Sequence, residues 1–252
     1  MIIDTHAHYD NERFKADRHE LLKALPENGV EKIINIGCDL KTSKASVKLA
    51  EKYDYVFATV GVHPHYVKGL ADEIVKELTA MCENKKVVGF GEIGLDFFHN
   101  HSPQGTQRMW FKRLLKLTAE LNLPAIIHSR DANDDVFEMI SASTVRRGVV
   151  HAFSGDAALA TAYVEMGFHI GIGGVVTFKK TDILKEAVAA VPLDKILLET
   201  DCPYLSPEPH RGTRNESPNI SHIAKVVAEI KNETPENICN QTAQNAQQLF
   251  GI

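Results

Sequence analysis

Short apolar runs alternate along the chain with longer segments in which apolar residues recur at helical spacing. The eight apolar runs are MIID (1–4), KIINIG (32–37), VFATVG (56–61), VVGFG (87–91), AIIH (125–128), GVVH (148–151), HIGIG (169–173) and ILLE (196–199). Amphipathic stretches between them include 18–24, 42–53, 73–82, 106–121 and 157–166. Near-continuous apolar runs are typical of parallel strands buried on both faces. The pattern therefore predicts a repeating unit of one strand followed by one helix.

Eight such units in 252 residues give about 31 residues each, which matches a (β/α)8 TIM barrel of about 250 residues. The prediction is an α/β chain forming one domain over residues 1–252. The alternative is a doubly wound open sheet. That fold normally carries a glycine-rich turn after its first strand, and the segment DTHAHYD (4–10) contains no glycine. The TIM barrel is therefore the favoured architecture.

Composition narrows the classes of function. A hydrophobic content of 44% is enough for a large core, and no linker or charged tail interrupts the chain. The formal net charge of −5 argues against bulk electrostatic coating of nucleic acid, so any phosphate must be bound locally. The 4 cysteines form no C-x-x-C pair, which favours a reducing compartment. No apolar run reaches membrane-spanning length, so we expect a cytoplasmic protein, and we infer no obligate protein partner.

Polar residues gather where the predicted strands end, which is the face that carries the chemistry of TIM-barrel enzymes. Six of the 12 histidines lie there, together with two carboxylates. In strand order, these residues are His6 and His8, His63 and His65, Glu92, His128, His151, and Asp201. A chance scatter of histidines does not account for this arrangement. The sequence predicts a metal site at the C-terminal ends of the strands.

The proposed ligands form a mixed nitrogen and oxygen set. His6 and His8 are separated by a single residue on a predicted strand, so their side chains point to the same face and can hold one ion. With Glu92 and the remaining residues they are sufficient for two divalent ions, of Mg, Mn or Zn, although a single zinc with an open position remains an alternative. The complete predicted ligand set is His6, His8, Glu92, His128, His151 and Asp201. Two ions suit hydrolysis of a phosphate ester.

Two of these residues receive catalytic roles. Asp201 is predicted to act as the general base that takes a proton from the attacking water. Its alternative is a helix cap ahead of the Cys202-Pro203 pair. Glu92 is the second predicted catalytic residue.

Substrate contacts are predicted from position and residue type. His63 precedes a proline, which favours an extended backbone, and we expect it to contact substrate phosphate; a histidine simply hydrogen-bonded at the rim is the alternative. Arg211 and Arg214, in the loop after the eighth strand, are predicted to clamp phosphate because guanidinium groups bind it bidentately. An ordinary solvated loop is the alternative for them. Arg130 could act similarly or pair with a nearby aspartate, and His65 has no assigned role.

These residues lie in motifs that run in order along almost the whole chain. The motifs are DTHAHYD (4–10), GVHPH (61–65), GEIGLDF (91–97), LPAIIHSRDA (123–132), HAFSG (151–155), ETDCPYL (199–205) and RGTRN (211–215). The chain resembles the TatD-family metal-dependent deoxyribonucleases, within the amidohydrolase-like TIM barrels. The resemblance implies that His6 and His8 bind one ion, that Glu92 bridges or binds, that His128 and His151 bind the other, and that Asp201 completes the site.

The resemblance also implies a DNA substrate, cut by metal-activated water, often from the 3′ end of single strands. Alternative functions on the same scaffold are hydrolysis of D-aminoacyl-tRNA, or of another ester or amide. Glu92 replaces the carboxylated lysine of many related amidohydrolases, which disfavours cyclic-amide hydrolysis. A binding barrel with purely structural metals is the non-enzyme alternative, and the presence of Asp201 argues against it.

Overall fold

The computed structural model describes residues 1–252 and contains one eight-stranded parallel sheet with its strands in sequence order. The strands are β1 (Ile2–Ala7), β2 (Val30–Ile36), β3 (Val56–Val60), β4 (Val87–Asp96), β5 (Ala125–Arg130), β6 (Gly148–Val150), β7 (Phe168–Ile172) and β8 (Ile196–Leu198). The ends of the sheet meet through a parallel bridge between Ala7 and Cys202. The backbone N–H of Asp201 donates to the carbonyl of His6, and that of His8 to Cys202, each at 2.8 Å. The predicted TIM barrel is confirmed.

Helices alternate with the strands as the pattern predicted. They are α1 (Arg18–Ala24), α2 (Leu40–Lys52), α3 (Asp72–Met81), α4 (Gln104–Leu121), α5 (Asn133–Ser141), α6 (Ala157–Glu165), α7 (Asp182–Ala190), α8 (Ile220–Lys231) and α9 (Pro235–Phe250). The sequence pattern placed the start of this helix at residue 42, but α2 begins at Leu40 because Asp39 caps it. The Asp39 side chain accepts from the Thr42 N–H at 2.7 Å, and Thr42 Oγ1 accepts from the Asp39 N–H at 2.9 Å. No helix combines the length and apolarity that a membrane span requires.

Two strands extend further towards the site than their apolar runs indicated. β1 continues through His6 to Ala7, and the whole of the 10-residue β4 is buried. β4 continues because β5 pairs with it along its second half, from Ile93 opposite Ile127 to Asp96 opposite Arg130. Glu92 and His6 therefore lie within strands, each at an irregular position of the ladder. The N–H of Glu92 donates to the Gly37 carbonyl at 3.0 Å, and the carbonyl of His6 accepts from the Asp201 N–H at 2.8 Å.

The apolar core lies on both sides of the sheet. A large cluster of 50 buried residues packs the helices against the strands. A smaller cluster of 11 buried residues joins side chains from six strands with α9, whose Leu249 and Phe250 belong to it. Side chains from strands around the barrel can meet in one cluster only inside it, so this packing fills the interior and leaves the C-terminal mouth for polar groups.

Candidate active site

A cleft of about 500 Å³ opens at the C-terminal end of the barrel. Five of the six predicted metal ligands line it, namely His8, Glu92, His128, His151 and Asp201. The sixth, His6, is fully buried beneath them, with its ring stacked on that of His151 at a centroid distance of 3.5 Å. The barrel therefore brings all six predicted ligands together from five strand ends.

Glu92 lies between two groups of histidines. Its Oε2 is 3.5 Å from Nε2 of His6. Its Oε1 is 2.6 Å from Nδ1 of His128 and 3.9 Å from Nε2 of His151. One carboxylate oxygen thus faces His6 and the other faces His128 and His151, which is the geometry that a bridging ligand needs.

Asp201 completes the group around His6. Its Oδ1 lies 3.2 Å from Nε2 of His8 and 3.8 Å from Nε2 of His6. The side chains of His6 and His8 converge on the same carboxylate oxygen, as their spacing along β1 predicted. Together with Glu92 they surround one candidate ion position.

The residues present fit divalent metal ions. Both ring nitrogens of His6 are buried without a hydrogen-bond partner in the protein. An unpaired buried polar atom costs about 1–3 kcal/mol, and a cation on Nε2 would remove that cost for this nitrogen. Two sets of ligand atoms share Glu92, and the atoms of each set lie within 4.8 Å of one another: His6–His8–Glu92 and His63–Glu92–His128. The second set includes His63, which is not a predicted ligand, and leaves out His151, which is grouped with His6 and Glu199. Imidazole and carboxylate groups are a donor set that Zn, Mn and related ions accept.

Oxygen atoms outside the predicted ligand set lie next to three of the candidate ligands. Nε2 of His128 lies 3.4 Å from Oδ2 of Asp96, and Nδ1 of His151 lies 2.8 Å from Oε1 of Glu199. Nδ1 of His8 is 3.2 Å from the Ile36 carbonyl. Such partners select the tautomer and fix the ring orientation of metal-binding histidines.

Asp96 and Glu199 were missed by the sequence analysis. The position of Asp96 held a signal, because it follows Glu92 by four residues on β4, whereas Glu199 lies just past the end of β8 and held no such signal. Even spacing on a strand places side chains on the same face. Both carboxylates are almost fully buried.

His63 points into the cleft as a hydrogen-bond donor. Its Nδ1 accepts from the backbone N–H of His65 at 3.2 Å, so in the neutral ring the proton resides on Nε2. Burial holds the pKa of His63 well below its usual value, which favours the neutral ring. Nε2 lies 3.6 Å from Oε1 of Glu92. This tautomer presents an N–H to the cleft, which suits a substrate contact.

The two carboxylates that the sequence predicts to be catalytic, Asp201 and Glu92, have pKa values below their usual range. Burial raises the pKa of Asp201, but the hydrogen bond from His8 and the positive charge of His151 outweigh it and lower the pKa overall. Burial likewise opposes ionisation of Glu92, and the neighbouring histidines hold its pKa well below the usual range. Both groups are therefore able to bind cations, and Asp201 is able to accept a proton, at neutral pH.

The two predicted arginine clamps do not line the cleft. Arg214 is held by Asp17 through two hydrogen bonds of 2.8 and 2.6 Å and by Glu216 at 2.7 Å. Arg211 stacks on the ring of Phe178 at 3.9 Å. Neither guanidinium is brought together with the histidines, and a phosphate-binding role for them stays a prediction.

Exposed apolar residues surround the mouth of the cleft. Tyr204 and Leu205 line it with 46% and 39% of their surface exposed, and Tyr66 lines it with 53%. Arg130 also lines the cleft and stacks at 4.4 Å on the ring of Phe98, which is 58% exposed. Large apolar side chains exposed together beside a polar cleft form a surface for a planar, partly apolar ligand.

Comparisons with known proteins identify the family of this chain. The model of the family "TatD related DNase" matches residues 3–251. The chain is 37% identical to an uncharacterized metal-dependent hydrolase, YabD, of Bacillus subtilis, over 100% of both chains. It is 34% identical to the "3'-5' ssDNA/RNA exonuclease TatD" of Pantoea ananatis, again over 100% of both. The crystal structure of the TatD homologue YjjV of Escherichia coli superposes with a TM-score of 0.93 at 31% identity, covering 100% of this chain and 98% of that one. The chain therefore belongs to the TatD-related DNase family of metal-dependent hydrolases.

Proposed function

We propose that this metal-dependent hydrolase is a deoxyribonuclease that cleaves phosphodiester bonds of single-stranded DNA, from the 3′ end. The observation that carries the proposal is the placement of Glu92, with His6 on one carboxylate oxygen and His128 on the other. This arrangement suits two ions about 3.5–4 Å apart, the spacing of two-metal phosphoesterases. The name of the Pantoea relative, a 3′–5′ exonuclease of single-stranded DNA and RNA, supports the same substrate and polarity.

Each side chain has a stated task in this proposal. Bound divalent ions would supply charge neutralisation for the scissile phosphate and increase the acidity of the attacking water. His6, His8, Glu92, His128 and His151 would hold these ions. Asp201 accepts the proton of the water, because its carboxylate is ionised and faces the same space as His8. His63 donates its Nε2–H to a phosphate oxygen.

The preference for single strands rests on the rim. Tyr66 and Tyr204 offer exposed rings on which unpaired bases can stack, a contact worth about 1–3 kcal/mol per base. Arg130 lines the cleft, and we propose that it contacts a flanking phosphate. Arg211 is the second candidate for that contact, whereas Arg214 already has two acidic partners.

The catalytic part of the proposal is tested with Asp201→Asn. Metal-stripped protein is supplied with Mg, Mn or Zn in turn and given an end-labelled single-stranded DNA. We expect metal-dependent shortening from the 3′ end, reduced about 10²–10⁴-fold in the variant. Asp182→Asn, which changes an exposed aspartate of α7, is the matched control. Bound metal is measured in each protein to separate loss of the base from loss of the ion. Full activity of Asp201→Asn would remove this residue from the mechanism.

The substrate part is tested with rim variants. Tyr204→Ala and Arg130→Ala should each raise KM for a single-stranded oligonucleotide severalfold and leave kcat nearly unchanged. The KM of Arg211→Ala shows whether Arg211, the second candidate, contacts the flanking phosphate. If KM does not move in the rim variants, the stacking surface is wrong. If no DNA is cut with any ion while a D-aminoacyl-tRNA or another ester is hydrolysed, the site is that of a deacylase and the nuclease proposal fails.

A further inference from the structure

A second group of metal-ligand side chains lies beside the site, and its two histidines have no task in the proposed reaction. Oδ2 of Asp96 is 2.8 Å from Nε2 of His65 and 3.1 Å from Nδ1 of His99. These three ligand atoms lie within 4.8 Å of one another. The ring of His101 is 4.6 Å from that of His65. We propose that His65, Asp96 and His99 hold a further divalent cation, with His101 close enough to serve as a fourth ligand.

The donor set suits a transition-metal ion. Two imidazoles and one carboxylate with open positions form a common binding set for Zn²⁺ and Fe²⁺, whereas Mg²⁺ prefers oxygen ligands. Metal–ligand bonds of about 2.0–2.1 Å in a tetrahedron separate the ligand atoms by about 3.3 Å. The observed distances of 2.8 and 3.1 Å need only a small opening to reach that separation.

Hydrogen bonding around Asp96 leaves one nitrogen unsatisfied without a cation. Oδ2 faces a third imidazole, since Nε2 of His128 lies 3.4 Å away. A carboxylate oxygen has two lone pairs, so it cannot accept well from three rings. Nε2 of His128 is indeed buried without a hydrogen-bond partner. A cation that binds His65 and His99 would take one lone pair of Oδ2 and leave the other for His128.

The backbone of this group is rigidly held. Gln107 is fully buried, and its Oε1 accepts from the Asp96 N–H at 2.8 Å. Its Nε2 donates to the carbonyls of Asp96 at 2.9 Å and Ser102 at 2.8 Å, which brackets the loop that carries His99 and His101. Oδ1 of Asp96 accepts from the backbone N–H of His99 at 2.8 Å. The ligands are therefore positioned before any ion arrives.

The group is open to the cleft. The side chains of His65 and His99 are 21% and 35% exposed, and both line the cleft with Asp96. An ion there would face the same space as the candidate catalytic ions, on the side of β4 and β5. This cation would lie where it could contact a phosphate next to the scissile one, and that role rests on the proposed nuclease function. The binding of the cation to the protein does not depend on that function.

The test counts bound metal in the full chain. Protein stripped with a chelator is dialysed to equilibrium against Zn²⁺, and metal per chain is measured by mass spectrometry for the wild type, His99→Ala and His65→Gln. His19→Ala is the matched control, because His19 is also exposed but lies on α1. We expect both site variants to bind about one equivalent less than the wild type, and the control to bind the same amount.

Co²⁺ provides an independent readout of the same site. The visible absorption of Co²⁺-loaded protein should decrease in His99→Ala and should not change in His19→Ala. Equal metal content and equal spectra in the wild type and His99→Ala would overturn the further site. DNA cleavage measured in parallel separates the two proposals. If the wild type cleaves DNA but binds no more metal than His99→Ala, only the further site is overturned. If the wild type binds the extra ion but does not cleave DNA, only the nuclease function is overturned.

Discussion

Glu199 shows how a residue that would touch neither metal nor substrate can control the site. Its Oε1 lies 2.8 Å from Nδ1 of His151, whose other nitrogen faces Glu92. It also accepts the backbone N–H of Ala152 at 2.6 Å, so its position is fixed from two sides. If His151 binds metal as predicted, we expect this negative charge to make its ring a stronger ligand and to favour the tautomer with Nε2 free for a cation.

Glu199→Gln should therefore weaken metal binding while the barrel remains folded. An amide keeps the shape of the side chain but removes the charge, and partners of this kind typically contribute a factor of about 10–100 to metal affinity. Isothermal titration calorimetry of metal-stripped protein with Zn²⁺ measures the change in metal affinity. Glu165→Gln, at an exposed position of α6, is the control. Identical affinities in the two variants would show that Glu199 has no such role.

His169 should make stability depend on pH away from the site. Burial, with the positive charge of Lys195, lowers the pKa of His169 to about 4. In the unfolded chain this histidine takes up a proton near pH 6.5, whereas in the folded chain it does so only near pH 4. The contribution of His169 to the free energy of unfolding is therefore fully present above pH 6.5 and is lost as the pH falls towards 4. Between pH 6.5 and 5 the loss is about 2 kcal/mol, at 1.36 kcal/mol per pH unit.

His169→Gln removes this titration. The difference in unfolding free energy between pH 7 and pH 5 should be about 2 kcal/mol smaller in the variant than in the wild type. Urea denaturation of metal-stripped protein at both pH values measures it, because bound metal would add its own pH dependence. Parallel pH profiles of the two proteins would assign the acid sensitivity to other groups.

At the scale of elements, β4 and β5 approach each other through a glycine. Gly94 has a φ of +153°, and a Cβ built on it would lie 2.0 Å from the carbonyl oxygen of His128. No rotamer change can relieve that contact, because the obstacle is backbone. β4 carries Glu92 and Asp96, and β5 carries His128, so the spacing of these strands sets the geometry of both candidate metal groups.

Gly94→Ala should separate the two strands and damage fold and site together. We expect a loss of at least about 1–3 kcal/mol in unfolding free energy, the usual cost of strained backbone, with weaker metal binding. Gly105→Ala is the control, since a Cβ there meets nothing within 4 Å. Helix propensity predicts that the control is unchanged or slightly stabilised. Denaturant midpoints and metal content measure both effects, and a neutral Gly94→Ala would contradict the packing argument.

At the scale of the whole molecule, metal binding should stabilise the barrel. The candidate ligands run from His6 to Asp201 and come from strands on all sides, so ions held by them tie the barrel together at its mouth. A ligand that binds only the folded state at 100 times its Kd contributes about 2.7 kcal/mol per site. Removal of the metals also leaves the unpaired Nε2 of His6 and the ionised Glu92 buried without a cation.

Chelation should therefore lower the thermal midpoint by several degrees, and addition of Zn²⁺ or Mn²⁺ should restore it. Differential scanning calorimetry of stripped and reloaded protein measures the shift. Chelator already saturated with metal controls for effects of the reagent itself. An unchanged midpoint after metal loss is confirmed would mean that the ions contribute nothing to the fold.

The order of strands and helices follows from the sequence, because apolar spacing along the chain reflects local geometry. Apolar runs and amphipathic segments identified eight repeated units, and the barrel made the strand ends neighbours, so His6, His8, Glu92, His128, His151 and Asp201 could be grouped before their distances were known. The lengths of β1 and β4 were not predictable in this way. A strand continues for as long as its neighbour pairs with it, whatever its own polarity, and β4 remains in the sheet through Asp96 because β5 does.

Side-chain partners were decided only by the tertiary structure. Arg214 looked available for phosphate, yet it pairs with Asp17, 197 residues away in the chain. His65 lies 2.8 Å from Asp96, which is 31 residues away in the chain, and Glu199 lies 2.8 Å from His151, which follows a different strand. The sequence by itself thus determined which residue types gather at the mouth of the barrel. Which of them meet depends on strand register and barrel closure, which arise from contacts across the whole chain and are not encoded in any local pattern.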